Sequence, residues 1–449
     1  MRTLGEIVRA ASAGEVSPGE VVREHLDRIT REQPRINAFV RVLADEAMEQ
    51  ARQLEREGSR GRPLFGAPVT IKDSIDVAGL PTYCGSRFRL DHRATVDAVA
   101  VARLRSAGAI VIGKTNCPEF LANYESDNHI TGRTNHPLDP EFTAGGSSGG
   151  EAAAIASGCS AGGLGSDGGG SIRWPAHCCG IAGLKPTPGS VPATGHYPLI
   201  RHPGGLLGVV GPMARTAADL KLLFQAVEGY HPSDPFAVPG ARGETAVKRI
   251  GVMESFYDVP VQPSIRDAVR SAAAAATRLG VPVESYMPEG LERAPNVWSF
   301  FFTELATPFT RKFLEGREDD AHWTGVEFYQ RMKNHPDPTG VQVVESLGVR
   351  DQMRASVLES MPGIVIAPAA GITAFRHRER RFQVEGGRSI GLFQAMMPLV
   401  WVNLLGLPAV TIPWGKDPGG MPVGVQLVGH PWCEEMLLDT AIRLEAARG

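Results

Sequence analysis

The 449-residue sequence predicts an α/β protein on three observations. From about residue 66 onward, segments with strand character alternate with helical ones. Glycine and proline number 52 and 34, too many for a helical bundle and without collagen's period, so tight turns must be frequent. Hydrophobic residues make up 43% and charged residues 21%, which supplies a real core and excludes a disordered chain. The length allows one large domain or up to about three smaller ones, but no tandem repeat or long linker divides it.

The elements follow in chain order. The first sixty residues read as helical, and Ser17-Pro18-Gly19-Glu20 marks a helix start: a capping Ser, Pro at the first helical position and an acid three residues after the cap. That helix should run from about 18 to 31, and a third amphipathic segment from about 41 to 57. APVTIK at 67–72 reads as a strand, 96–107 as a helix, AIVIG at 109–113 as a strand and 151–157 as a short Ala-rich helix. RIGVM, a helix from Pro263 to about Leu279 and the strand PVES repeat the theme. Residues 286–360 read as more helical, with Trp298, Phe300, Phe301 and Phe302 taken mainly as core. The run from Ala395 to Trp414 is apolar but broken by Pro398, Pro408 and Pro413, so it reads as buried strands and turns and not as a spanning helix. A closing helix occupies about 434–447.

Charge and cysteine content exclude several functions. Lys plus Arg is 46 against 49 Asp plus Glu, a formal charge of −3, which argues against a globally basic nucleic-acid binder. The six cysteines are too sparse for a disulfide scaffold and lack zinc-site pairing, so a reduced, cytoplasmic setting is expected, with no metal and no cofactor. The N-terminus has no apolar run of signal-peptide length.

Three motif matches carry less than they promise. Gly108 to Thr115 fits the phosphate-loop pattern, but its four central residues are apolar and belong to a strand. Gly163-Leu-Gly165-Ser-Asp-Gly168 fits the dinucleotide fingerprint, yet a helix precedes it and no acid for a ribose follows Asp167 until Asp219. Gly145-Gly146-Ser147-Ser148-Gly149 fits the nucleophile elbow, with His377 and His430 downstream, and supports an alternative reading as a His-dependent serine esterase using Ser147. Ser148 and Glu151 would equally form a capping box for the next helix.

From 143 to 187 two clusters rich in Gly and Ser flank one short helix, which brings two hydroxyl-bearing turns together. Consecutive glycines such as Gly168-Gly169-Gly170 let backbone N–H groups converge on an anion.

These segments, GGSSGGEAA, GSDGGGSIR and CGIAGLKPT, together with TIKDSIDVAGLPT, VIGKTNCPEF and GPMART, resemble the amidase signature family in order and spacing. The resemblance implies an amidase-signature fold, a large mixed central sheet covered by helices on both faces, in a single domain over 1–449. Within it lie an N-terminal helical part (about 1–60), a catalytic core (61–230), a variable substrate-shaping region (231–390) and a C-terminal return (391–449). It implies an amidohydrolase with Ser171 as nucleophile, Ser147 as a bridging hydroxyl on a cis peptide, and Lys72 as base. The amides of Gly168, Gly169, Gly170 and Ser171 would form the oxyanion hole, supported by Ser148, Asp167 and Arg173. Gly168 departs from the bulkier residue usual there. An amidotransferase component supplying ammonia is the family's other implied role. The expected partner is a small-molecule amide; no nucleic acid or membrane segment is expected, and homodimerisation is left open.

The chemistry requires a neutral lysine. From a reference value near 10.4, only about one amine in a thousand or fewer is neutral at pH 7, so a lowering of roughly three pH units, about 4 kcal/mol, is needed to make the base available. Lys72 ends an apolar strand, and alternation sends Asp73 to the opposite face, away from the ammonium.

Overall fold

The computed structural model describes residues 1–448 apart from Pro203 and Arg242. Its strands are β1 (Phe39–Val42), β2 (Pro68–Lys72), β3 (Ile110–Thr115), β4 (Gly162–Asp167), β5 (Ala182–Lys185), β6 (Val209–Ala214), β7 (Ile250–Val252), β8 (Val283–Ser285), β9 (Ile364–Pro368), β10 (Arg381–Gln383), β11 (Ser389–Gly391), β12 (Ala409–Lys416) and β13 (Pro422–Gly429). Among the described residues eleven of them form one sheet, ordered β1-β3-β2-β4-β6-β5-β12-β13-β9-β7-β8, while β10 and β11 pair separately. The sheet is mixed: β3-β2-β4 and β9-β7-β8 run parallel, and β4-β6-β5-β12-β13-β9 antiparallel. Helices flank it, with Pro263–Arg278 and Glu434–Ala446 packing on its C-terminal half.

Local signals act as expected in most elements. The Ser17 hydroxyl accepts from the Glu20 amide and Glu20 reaches back to the Ser17 amide, although the helix continues to Ile36. The phosphate-loop match lies mostly in β3, and Lys114 is buried 3.2 Å from Asp73 instead of facing a ligand.

Two expectations are corrected. Leu392–Leu404 is a helix with Pro398 inside it, not strands and turns; only its continuation from Ala409 is a strand. Its carbonyls gain tertiary partners, since Gln426 donates to Pro398 O at 2.7 Å and Arg173 to Leu399 O at 3.1 Å. The second concerns β4, a central, wholly buried strand read from the sequence as part of a turn. It is glycine-rich because the helix Gly149–Ala156 lies directly on it: a Cβ on Gly163 would fall 2.2 Å from Glu151 Oε1 and 2.1 Å from Thr70 O. Propensity therefore yields to close packing.

Candidate active site

Lys72 is the last residue of β2 and is fully buried. Its Nζ lies 2.7 Å from Ser147 Oγ, 2.9 Å from Ser148 Oγ and 3.0 Å from Ser166 Oγ. Burial pushes the amine down to about 8, while Cys117, Cys84, Asp167 and Glu151 pull the other way. The amine is thus roughly a tenth neutral at pH 7 and half neutral at pH 8, short of complete release near pH 7. Asp73 points away and pairs with Lys114.

Ser147 follows a cis peptide after Gly146. A Cβ on Gly146 would lie 2.7 Å from the Glu125 amide nitrogen, so only glycine fits there. Ser126 pins this turn by donating to Gly145 O at 3.1 Å and accepting from the Gly149 amide at 3.0 Å. Ser148 does not cap the following helix. Its hydroxyl donates to Ser166 O at 3.3 Å and receives from Lys72, and Glu151 is held instead by Thr70 and by Thr115 at 2.7 Å. The capping-box reading is therefore wrong, because the buried lysine offers Ser148 a better partner than a helix end. Burial raises Glu151 to about 7 against those two hydroxyl bonds and Lys72.

The second turn begins where β4 ends. Asp167 and Arg173 are fully buried and 3.0 Å apart, and Asn403 donates to Asp167 Oδ1 at 2.9 Å. Burial alone would raise this carboxyl, but the guanidinium and Asn403 hold it well below the usual carboxylate range. Asp167 also accepts from the amides of Gly170 at 2.7 Å and Ile172 at 3.1 Å, which curls the loop around the carboxylate. Gly170 therefore is not a free donor, correcting the expectation of four amides. Those of Gly168, Gly169 and Ser171 have no acceptor among the described residues. The two turns are joined directly, as the Ser148 amide donates to Ser171 O at 3.1 Å. The Ser171 hydroxyl makes no hydrogen bond among the described residues and is half-buried on the wall of a cavity of about 120 Å³ that Ser147 also lines.

That wall is otherwise mostly apolar, with Phe120, Leu199, Ile200, Leu207 and Phe302. His196 lines it too, and burial lowers its ring to about 3, with Ser74 at 3.1 Å and Pro198 O at 2.7 Å as partners. The histidines of the esterase reading are elsewhere: His377 bonds Pro140 O at 3.1 Å and His430 bonds Met361 O at 3.2 Å, and neither reaches Ser147. His177 is bonded to backbone at Gly424 and Ile372. Sequence reasoning missed Ser166, Asn403, Gln426, Tyr124 and Trp298, all of which touch the site's loops or their supports. Trp298 alone carried a signal, as an aromatic in the segment read as variable.

The fold and this buried Ser/Lys centre define a class, and the amidase family profile matches residues 20–438. The chain belongs to the amidase family and is an amide carbon–nitrogen hydrolase. It is 33% identical to the indoleacetamide hydrolase of Bradyrhizobium diazoefficiens, over 98% of this chain and 85% of that one. It is 31% identical to a component of the glutamyl-tRNA(Gln) amidotransferase of Chloroflexus aurantiacus, over 96% and 93%. Its fold matches the structure of 6-aminohexanoate cyclic dimer hydrolase complexed with substrate, with TM-score 0.87, 28% identity and coverage of 99% and 97%. Among the described residues no helix is long and apolar enough to cross a membrane.

Proposed function

We propose that the protein hydrolyses neutral amides with a compact apolar acyl group, through Ser171, Ser147 and Lys72 and an acyl-enzyme. The observation that carries this reading is the buried amine 2.7 Å from Ser147 Oγ, beside a cavity that Ser171 also lines. Of the hydroxyls around Nζ, Ser148 spends its proton on Ser166 O; those of Ser147 and Ser166 have no other partner among the described residues, and Ser147 is the nearer to the amine, 2.7 Å against 3.0 Å, and can give its proton to it when neutral. Ser171 Oγ attacks the carbonyl carbon, its proton passes to Ser147, and the Ser147 proton passes to Lys72. Apo hydrogen bonds of this kind often close only when substrate binds, and Ser171 already lies on the wall. The carbonyl oxygen becomes an oxyanion facing the free amides of the glycine loop. The C–N bond then breaks, the departing nitrogen takes the proton back along the same path, and water releases the acid from the Ser171 ester.

Substrate class follows from charge. Among the described residues Asp167 is the one charged residue on the cavity wall and is neutralised by Arg173, while His196 is held neutral, so no described side chain there would pair with the ammonium or carboxylate of a glutamine-like substrate. Burying such charges unpaired is expensive. This favours hydrolysis over ammonia supply from glutamine, and the likeness to an indoleacetamide hydrolase points the same way. A cavity near the size that accepts one benzene, roughly 150 Å³, suits a small arylacetamide better than a long acyl chain. The test is a panel of arylacetamide, long-chain amide and glutamine. Preference for the first supports the reading, and preference for glutamine overturns it.

A further inference from the structure

We propose that Trp298 and Tyr124 act together as positioning residues that aim the Gly169 amide at the oxyanion, an inference that rests on Ser171 being the nucleophile. In a trans peptide C=O and N–H lie in one plane and point in opposite directions, so holding one end aims the other. The peptide between Gly168 and Gly169 is held at its oxygen, to which the Trp298 indole N–H donates at 2.9 Å. Its N–H, on Gly169, has no acceptor among the described residues. The next peptide is anchored at both ends. The Tyr124 hydroxyl donates to Gly169 O at 3.0 Å, and the Gly170 amide donates to Asp167 Oδ1 at 2.7 Å. The indole also closes the loop sterically, since a Cβ on Gly169 would fall 2.5 Å from Trp298 Cζ2.

This arrangement ties the donor to the substrate. Trp298 lies in the helix Ala294–Ser299, and the π-helical turn Phe300–Glu304 that follows brings Phe302 to stack on it, with ring centroids 4.5 Å apart and planes 14° apart. Phe302 lines the main cavity and a smaller one of about 40 Å³, which also meet at Ser171 and Leu121. An acyl group seated against Phe302 thus presses on the ring that orients the Gly168–Gly169 peptide.

Trp298→Phe keeps an aromatic ring and removes the donor, and Tyr124→Phe removes one hydroxyl and serves if the first variant does not fold. The readouts are the rate at which a small alkyl fluorophosphonate modifies Ser171, mapped by mass spectrometry, and kcat and KM on an arylacetamide. Either variant should label about tenfold more slowly and lose kcat to a similar degree with KM nearly unchanged, less than the loss on removing an oxyanion donor outright. Labelling of Ser171 at the wild-type rate, or a raised KM with unchanged kcat, would overturn the inference alone. Labelling of the wild-type protein at another serine would overturn the nucleophile assignment and this inference with it.

Discussion

Asp73 pairs with Lys114 at 3.2 Å and leaves its chain neighbour Lys72 to three serine hydroxyls. Were the carboxylate on the same side, its charge would hold the Lys72 ammonium protonated, and the proposed base would be lost near neutral pH. Successive residues leaving a strand face opposite ways, and β3 supplies the partner that keeps the acid occupied.

Activity should follow the Lys72 amine. Turnover is expected to rise from pH 6 to about 8.5 with an inflection near 8, because protonation below that value removes the proposed base. A pH–rate profile of kcat/KM that stays flat across this range would count against a lysine base.

Glu151 raises the Lys72 amine when it is ionised. Its own value is about 7, so at higher pH it carries that charge, and Glu151→Gln should shift the activity inflection to lower pH. The same kinetic profile, measured on the variant, checks the direction.

Replacing Ser171 or Lys72 with Ala should lower kcat/KM at least about a hundredfold while the protein stays folded, because the proposed mechanism uses each group in every turnover. Steady-state kinetics with a circular dichroism melt separates lost chemistry from lost fold, and normal activity in either variant refutes the assignment.

Asp167→Asn leaves the buried Arg173 guanidinium without its counter-charge, and denaturant unfolding should show a loss of about 3–5 kcal/mol. The wild-type carboxylate is held below its unfolded value near 4, so its stabilisation is complete above that pH and disappears as pH falls through the folded value. The variant should lack this acid limb in a stability-versus-pH series.

Gly163→Ala drives a Cβ into Thr70 O and Glu151, where backbone on one side cannot yield. Overpacking of that kind costs about 3 kcal/mol or more, read as a lowered unfolding midpoint or as insoluble protein.

Much of the molecule is legible in the chain alone. The alternation of apolar runs, the Ser17–Glu20 cap, and the placing of Lys72 at the end of a strand all arise from neighbours in sequence, where periodicity and capping act directly. The paired Ser/Gly turns and their resemblance to a family singled out Lys72, Ser147 and Ser171. Tertiary structure alone decided that the glycine run 162–167 is a central strand, that Leu392–Leu404 is helical despite Pro398, and that Ser148 serves Lys72 instead of a helix end. It also decided which loop groups are engaged: Asp167 takes the Gly170 amide, and Trp298, 130 residues from Gly168, holds the Gly168 carbonyl. The division has one physical cause. Local pattern reports what a residue prefers beside its neighbours, while the partner of a buried polar group is whatever the folded chain brings within hydrogen-bond reach, and burial makes satisfying it outweigh the local preference.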